Sequence, residues 1–181
     1  MPDDFDEYRD EAYFDRRRRK RLVFDSNLLR ESASVLRARK PLVFGPGHSV
    51  TEAIRSMQGE HRGCVLVTAD GSLASPVTGI FTERDVLFRI VDRGRNPAML
   101  PLSEVMTGDP NCLRDDQPIA AVLNKMSVGG YRHIPIVDAA GRPRFVVSVK
   151  DVVEFLVEAF PREILNQPVD VSTDPREREG A

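Results

Sequence analysis

The sequence predicts an α+β fold, an α/β sandwich-like arrangement of two β-α-β-β-α units packed through their sheets. Three observations lead there: the chain between its charged ends repeats itself, each copy carries continuous apolar runs of strand length, and each carries apolar positions at helical spacing. Aligning Val50 with Ile119 gives an offset of 69, Arg62 with Arg132 one of 70, and Asp85 with Asp151 one of 66. Two short loop changes absorb the differences.

Each copy opens on a short strand, Leu42 to Phe44 or Asn111 to Leu113. A helix follows, with apolar positions at Val50, Ala53, Ile54 and Met57 in the first copy and at Ile119, Val122, Leu123 and Met126 in the second. Ser49 and Glu52 form a capping box for the first, and Pro118 sits in the first turn of the second, where a missing N–H is harmless. Two strands come next, CVLV then VTGIF in the first copy and HIPIV then RFVVSV in the second, with turns at Asp70-Gly71 and Gly141. Such continuous apolar runs belong to strands covered on both faces. A closing helix starts at Asp85 (DVLFRIV) and again at Asp151 (DVVEFLV). One copy alone is too small to bury both faces of its sheet; two copies packed sheet to sheet, with helices outside, cover them.

Ahead of the first copy an amphipathic helix is expected around Ser26 to Arg39, with Leu28, Leu29, Val35 and Leu36 as its apolar side. The organisation is then a charged, disordered tail at 1–25, this helix with the first repeat at 26–98, the second repeat at 99–169, and a polar, disordered tail at 170–181.

With 181 residues, 41% of them hydrophobic and 30% charged, the chain reads as a soluble globular protein. Its 26 basic and 28 acidic residues leave a net charge of −2, which excludes a global attraction for nucleic acid. The charges are unevenly placed, however: seven acids fall among the first fifteen positions, and six bases run from Arg16 to Arg21. That basic run carries the alternative reading, a nucleic-acid-associated dimer. No apolar stretch approaches the ~18 residues of a spanning helix, and the acidic start is unlike a secretory signal, so a cytoplasmic location is expected. Cys64 and Cys112 lie in apolar surroundings without metal spacing and read as small buried thiols of a reducing compartment. The sequence has no GxxxxGK[ST] loop, GxGxxG turn, HExxH or paired CxxC, and His48, His61 and His133 are scattered, so neither catalysis nor a metal site is expected.

The segments Val105-Met106-Thr107-Gly108-Asp109-Pro110, His133-Ile134-Pro135-Ile136-Val137-Asp138 and Val147-Ser148-Val149-Lys150-Asp151-Val152 resemble the cystathionine-β-synthase (CBS) domain family. Gly79-Ile80-Phe81-Thr82-Glu83-Arg84-Asp85-Val86-Leu87 is similar to that family's ribose motif. The resemblance covers about 41–160. It implies a tandem pair with pseudo-twofold symmetry, a Bateman module, whose cleft holds an adenosine-containing ligand: AMP, ADP or ATP, with S-adenosylmethionine as a further family ligand. It also implies a homodimer that regulates a partner protein, an energy-sensing role, and no required cofactor.

Residue by residue, the resemblance places the ribose on Thr82 and Asp85 or on Ser148 and Asp151, with Arg84 and Lys150 within reach of the ligand's phosphate. Phosphate falls to Arg62, Arg132 and His133 near the pseudo-twofold axis, and adenine to Phe44, Leu113, Ile80 and Val146. The chemistry agrees. A carboxylate offers two acceptor oxygens to a vicinal diol, and a guanidinium fork matches phosphate oxygens. Each Thr/Ser and Asp pair, spaced three apart at a helix start, reads first as a cap when taken alone; its appearance twice at matching places, with the flanking family residues, favours a ligand. The cations read equally as solvated surface charge, while the apolar residues are more often plain core. Gly63 departs from the basic pair often seen in the family. Phe145 stands where the first copy has Gly79, so the first copy's motif is expected to be the better preserved.

Overall fold

The computed structural model describes residues 27–36, 39–160 and 164. Both expected tails, including the Arg16 to Arg21 run, lie outside the described residues.

Strand β1 (Val43–Phe44) leads into helix α1 (Val50–Gly59), then β2 (Cys64–Thr68) and β3 (Val77–Thr82). The first copy closes with a helical segment whose opening turn is α2 (Glu83–Asp85) and whose continuation, Val86–Val91, is wound as a π-helix. The looser winding carries past its end: Asp92 N–H donates to Leu87 O and Arg95 N–H to Ile90 O, each at 2.9 Å and each five residues back. The second copy repeats the order with β5 (Leu113–Arg114), α3 (Ile119–Gly129), β6 (His133–Val137), β7 (Pro143–Ser148) and α4 (Val149–Ala159). In each copy the first strand pairs parallel to the second and the second antiparallel to the third. A short β4 (Thr107–Gly108), from the connection between copies, adds antiparallel to the edge of β3.

The capping box at Ser49 and Glu52 forms as the sequence predicts. The opening strands begin one and two residues later than expected, and Cys112 is only half-buried, ahead of β5 rather than within it.

Each copy has its own core. Val50, Ala53 and Met57 pack on Val65, Val67 and Phe81 in the first, and Ile119 and Val122 on Ile134, Ile136 and Val147 in the second. A third cluster, in which Cys64, Leu66 and Ile80 meet Val146 of β7, joins the two sheets. Strand alternation makes this division: Phe145 packs into its own copy's core while Val146 faces the other sheet.

The copies also exchange their leading segments. Leu100, Leu102 and Val105, which precede the second copy, are buried in the first copy's core, whereas Ala33 and Leu36, which precede the first copy, are buried in the second's. The hydrogen bonds match. Val50 N–H donates to Leu100 O at 2.9 Å and Ile119 N–H to Glu31 O at 2.8 Å; Leu102 N–H donates to His48 O at 2.9 Å and Ala33 N–H to Gln117 O at 2.8 Å.

This exchange corrects the expected helix over Ser26 to Arg39. The described part forms two 3-10 turns, Leu28–Arg30 and Ala33–Val35, and it packs on the second copy, not on the first with which its position in the chain groups it. Ser32 breaks the helix because its side chain serves the backbone elsewhere. Its hydroxyl accepts from Ser34 N–H at 3.2 Å and donates to Asp115 O at 2.6 Å, while Ser32 itself is extended.

Candidate functional site

A cleft of ≈ 320 Å³ opens where the two copies meet. The second copy contributes Ser148, Lys150 and Asp151 at the start of α4, Arg132 and His133 at the start of β6, and Val146. Residues the sequence did not assign to a ligand complete it: Arg39, Pro41, Leu42, His61, Cys64 and Glu83 from the first copy's side, and Val149 and Glu154 from the second. Pseudosymmetry held a signal for Glu83, which occupies the place of Val149 at the offset of 66, another lining residue.

Of the expected ligand residues, Arg62, Arg132, His133, Val146, Ser148, Lys150 and Asp151 therefore come together. Thr82, Arg84, Asp85, Phe44, Leu113 and Ile80 do not line this cleft. Leu113 is buried in the second core, Phe44 packs against the first and stacks edge-on with His48 at 5.4 Å, and Ile80 lies in the inter-sheet cluster. The opening thus stands beside the second copy's motif, although the first was expected to be the better preserved. Phe145 does not intrude, because it turns into its own core.

Both hydroxyl and carboxylate pairs are capping boxes. Asp85 Oδ2 accepts from Thr82 N–H at 2.9 Å and Thr82 O–H at 2.8 Å; Asp151 Oδ2 accepts from Ser148 N–H and O–H, each at 2.6 Å. The cap and ligand readings are compatible, since capping uses one oxygen and leaves the other. Asp151 Oδ1 has no hydrogen-bond or ion-pair partner among the described residues.

Arg39, Arg62, Arg132 and Lys150 line the same cleft, together with Glu83 and Glu154. Arg62 Nη2 donates to Lys40 O at 3.1 Å, but its Nε is buried without a partner among the described residues. A buried guanidinium N–H in that state favours an incoming acceptor. Lys150 is exposed and paired with Glu154 at 3.5 Å, and Arg84 is exposed. Burial pushes the Cys64 thiol up to about 12 and the Cys112 thiol up to about 11, so neither supplies a thiolate.

His133 and Gly63 occupy equivalent positions and meet across the copies. A Cβ at Gly63 would lie 2.7 Å from His133 Nε2, so the glycine that departs from a basic pair makes room for the imidazole. Gly63→Val is expected to destabilise the fold by about 1–3 kcal/mol through overpacking. Thermal melting should show most of that loss recovered in the Gly63→Val/His133→Ala double variant.

Burial lowers the pKa of His133 below its usual 6.5, with Arg132 acting in the same direction and Glu83 and Asp151 opposing. The unfolded chain then binds the proton more tightly than the folded one, so this imidazole costs stability as pH falls through 6.5. Denaturant midpoints should decline from pH 7 towards pH 5.5, and more gently in His133→Gln.

The chain matches the CBS domain family model twice, over residues 33–92 and 102–158, and it belongs to the CBS-domain family as a tandem pair. The CBS domain-containing protein CBSCBSPB2 of Arabidopsis thaliana is 32% identical over 127 residues, which are 70% of this chain and 22% of the plant protein. The chain thus spans about a fifth of that relative's length. A crystal structure of an uncharacterized conserved protein from Pyrococcus horikoshii is 26% identical with a TM-score of 0.62, over 71% of this chain and 93% of the other. A CBS domain protein from Pyrobaculum aerophilum, complexed with AMP, shares the fold at a TM-score of 0.62 and 21% identity, over 71% of this chain and 97% of its own.

Proposed function

We propose that this chain is a non-catalytic regulatory module that binds an adenosine-containing ligand, AMP, ADP or ATP, in the cleft beside Ser148 and Asp151. One observation carries the reading: Asp151 keeps a carboxylate oxygen without a partner among the described residues, at the edge of a cleft whose lining includes Arg39, Arg62, Arg132 and Lys150. A vicinal diol donates to that oxygen, phosphate oxygens accept from the cations, and Leu42 and Val146 provide apolar walls for a base. The AMP-bound relative from Pyrobaculum aerophilum supports the ligand class.

The cleft draws on both copies, so a ligand that binds it better in one relative setting of the copies shifts their equilibrium towards that setting. A partner protein reads the change. A second copy of the chain is the expected assembly partner, because Leu87, Phe88 and Val91 are each at least 60% exposed on the first copy's closing helix, and Val153 is exposed on α4. Among the described residues no helix is long and apolar enough to cross a membrane. Melting the protein against AMP, ADP, ATP and S-adenosylmethionine tests the reading: a rise in midpoint with the nucleotides supports it, and unchanged midpoints across the panel remove it.

A further inference from the structure

The two ribose-type carboxylates differ in what holds their second oxygen. Asp85 is 7% exposed, and its Oδ1 lies 3.2 Å from Nε of Arg89, one turn along the same helix. The rest of that guanidinium is spent on the connection between copies: Nη1 donates to Val105 O at 2.8 Å and to Met106 O at 2.5 Å, and Nη2 to Thr107 Oγ1 at 3.0 Å. Met106, held by the same contact, fills the space a Cβ at Gly79 would need. In the second copy the residue at the place of Arg89 is Phe155, which has no donor and packs against the second core.

We infer that Arg89 is a built-in occupant of the first copy's ribose position, so that each chain takes one nucleotide, at Asp151. This rests on the nucleotide reading of the Ser148/Asp151 cleft. A sugar diol and a guanidinium are both donors, and they compete for the same acceptor oxygen. The guanidinium is tethered one turn away, is charged, and keeps three further acceptors, so a diol at millimolar concentration does not displace it. Losing Arg89 frees Asp85 Oδ1, the Val105 and Met106 carbonyls and the Thr107 hydroxyl together.

Isothermal titration with AMP on the full chain tests this, with Arg89→Ala, Arg89→Met (which keeps the aliphatic stem), Asp151→Ala and the Arg89→Ala/Asp151→Ala double variant. The expected stoichiometries per chain are one for the unaltered protein, two for both Arg89 variants, none for Asp151→Ala, and one for the double variant. An unaltered chain that takes two equivalents overturns the inference. So does failure of every Arg89 variant to gain a site while melting cooperatively. If the unaltered chain binds no AMP but the Arg89 variants bind one, the role of Arg89 stands and the Asp151 reading falls.

Discussion

Leu36→Ala should destabilise the protein by about 2–4 kcal/mol, the range for emptying a fully buried leucine site, whereas Val35→Ala, one position away, should change it by less than about 0.5 kcal/mol. Leu36 is 2% exposed within the second copy's core and Val35 is 40% exposed. An amphipathic helix over Ser26 to Arg39 would have placed both on one apolar side, with similar costs for both truncations. Chemical denaturation separates the two outcomes, and equal effects would overturn the exchanged-segment arrangement. Leu36 sits three residues before Arg39 and six before Leu42, both of which line the cleft, so its anchorage in the second core lies close in the chain to the cleft and to β1.

The repeat made most of the architecture readable. Val50, Ala53 and Met57 point inward because their spacing is helical, and CVLV is buried at every position because both faces of β2 are covered. The leading segment was not readable in the same way. Its apolar residues look periodic, but Ser32 satisfies backbone groups on the second copy, and only the three-dimensional exchange shows which core receives Ala33 and Leu36. The site divided similarly. Spacing identified both carboxylate pairs, since a capping geometry at a helix start is local. What separates them is not local: Asp85 is engaged by Arg89 and the connection between copies, whereas Asp151 borders the cleft. Gly63 looked like a missing cation and is instead the space that His133 fills, a relation visible only when the two equivalent positions are brought face to face.

The largest ligand effect should appear at Asp151. At AMP concentrations about 100 times its Kd, binding should add about 2.7 kcal/mol to the stability of the unaltered chain, a rise in midpoint of roughly 5–10 °C for a chain of this size. Asp151→Ala should abolish that rise. It also removes the side chain that closes the Ser148 capping box, so its midpoint without ligand should fall by about 1 kcal/mol worth of stability. Asp151→Asn separates the two roles. Its amide oxygen can still accept from Ser148 N–H and O–H, preserving the cap, while its NH2 group presents donors where a diol needs an acceptor. The asparagine variant should therefore melt near the unaltered protein without nucleotide and fail to respond when AMP is added. A full response in both variants would place the ribose away from this carboxylate and leave the Ser148 and Asp151 pair with a capping role alone.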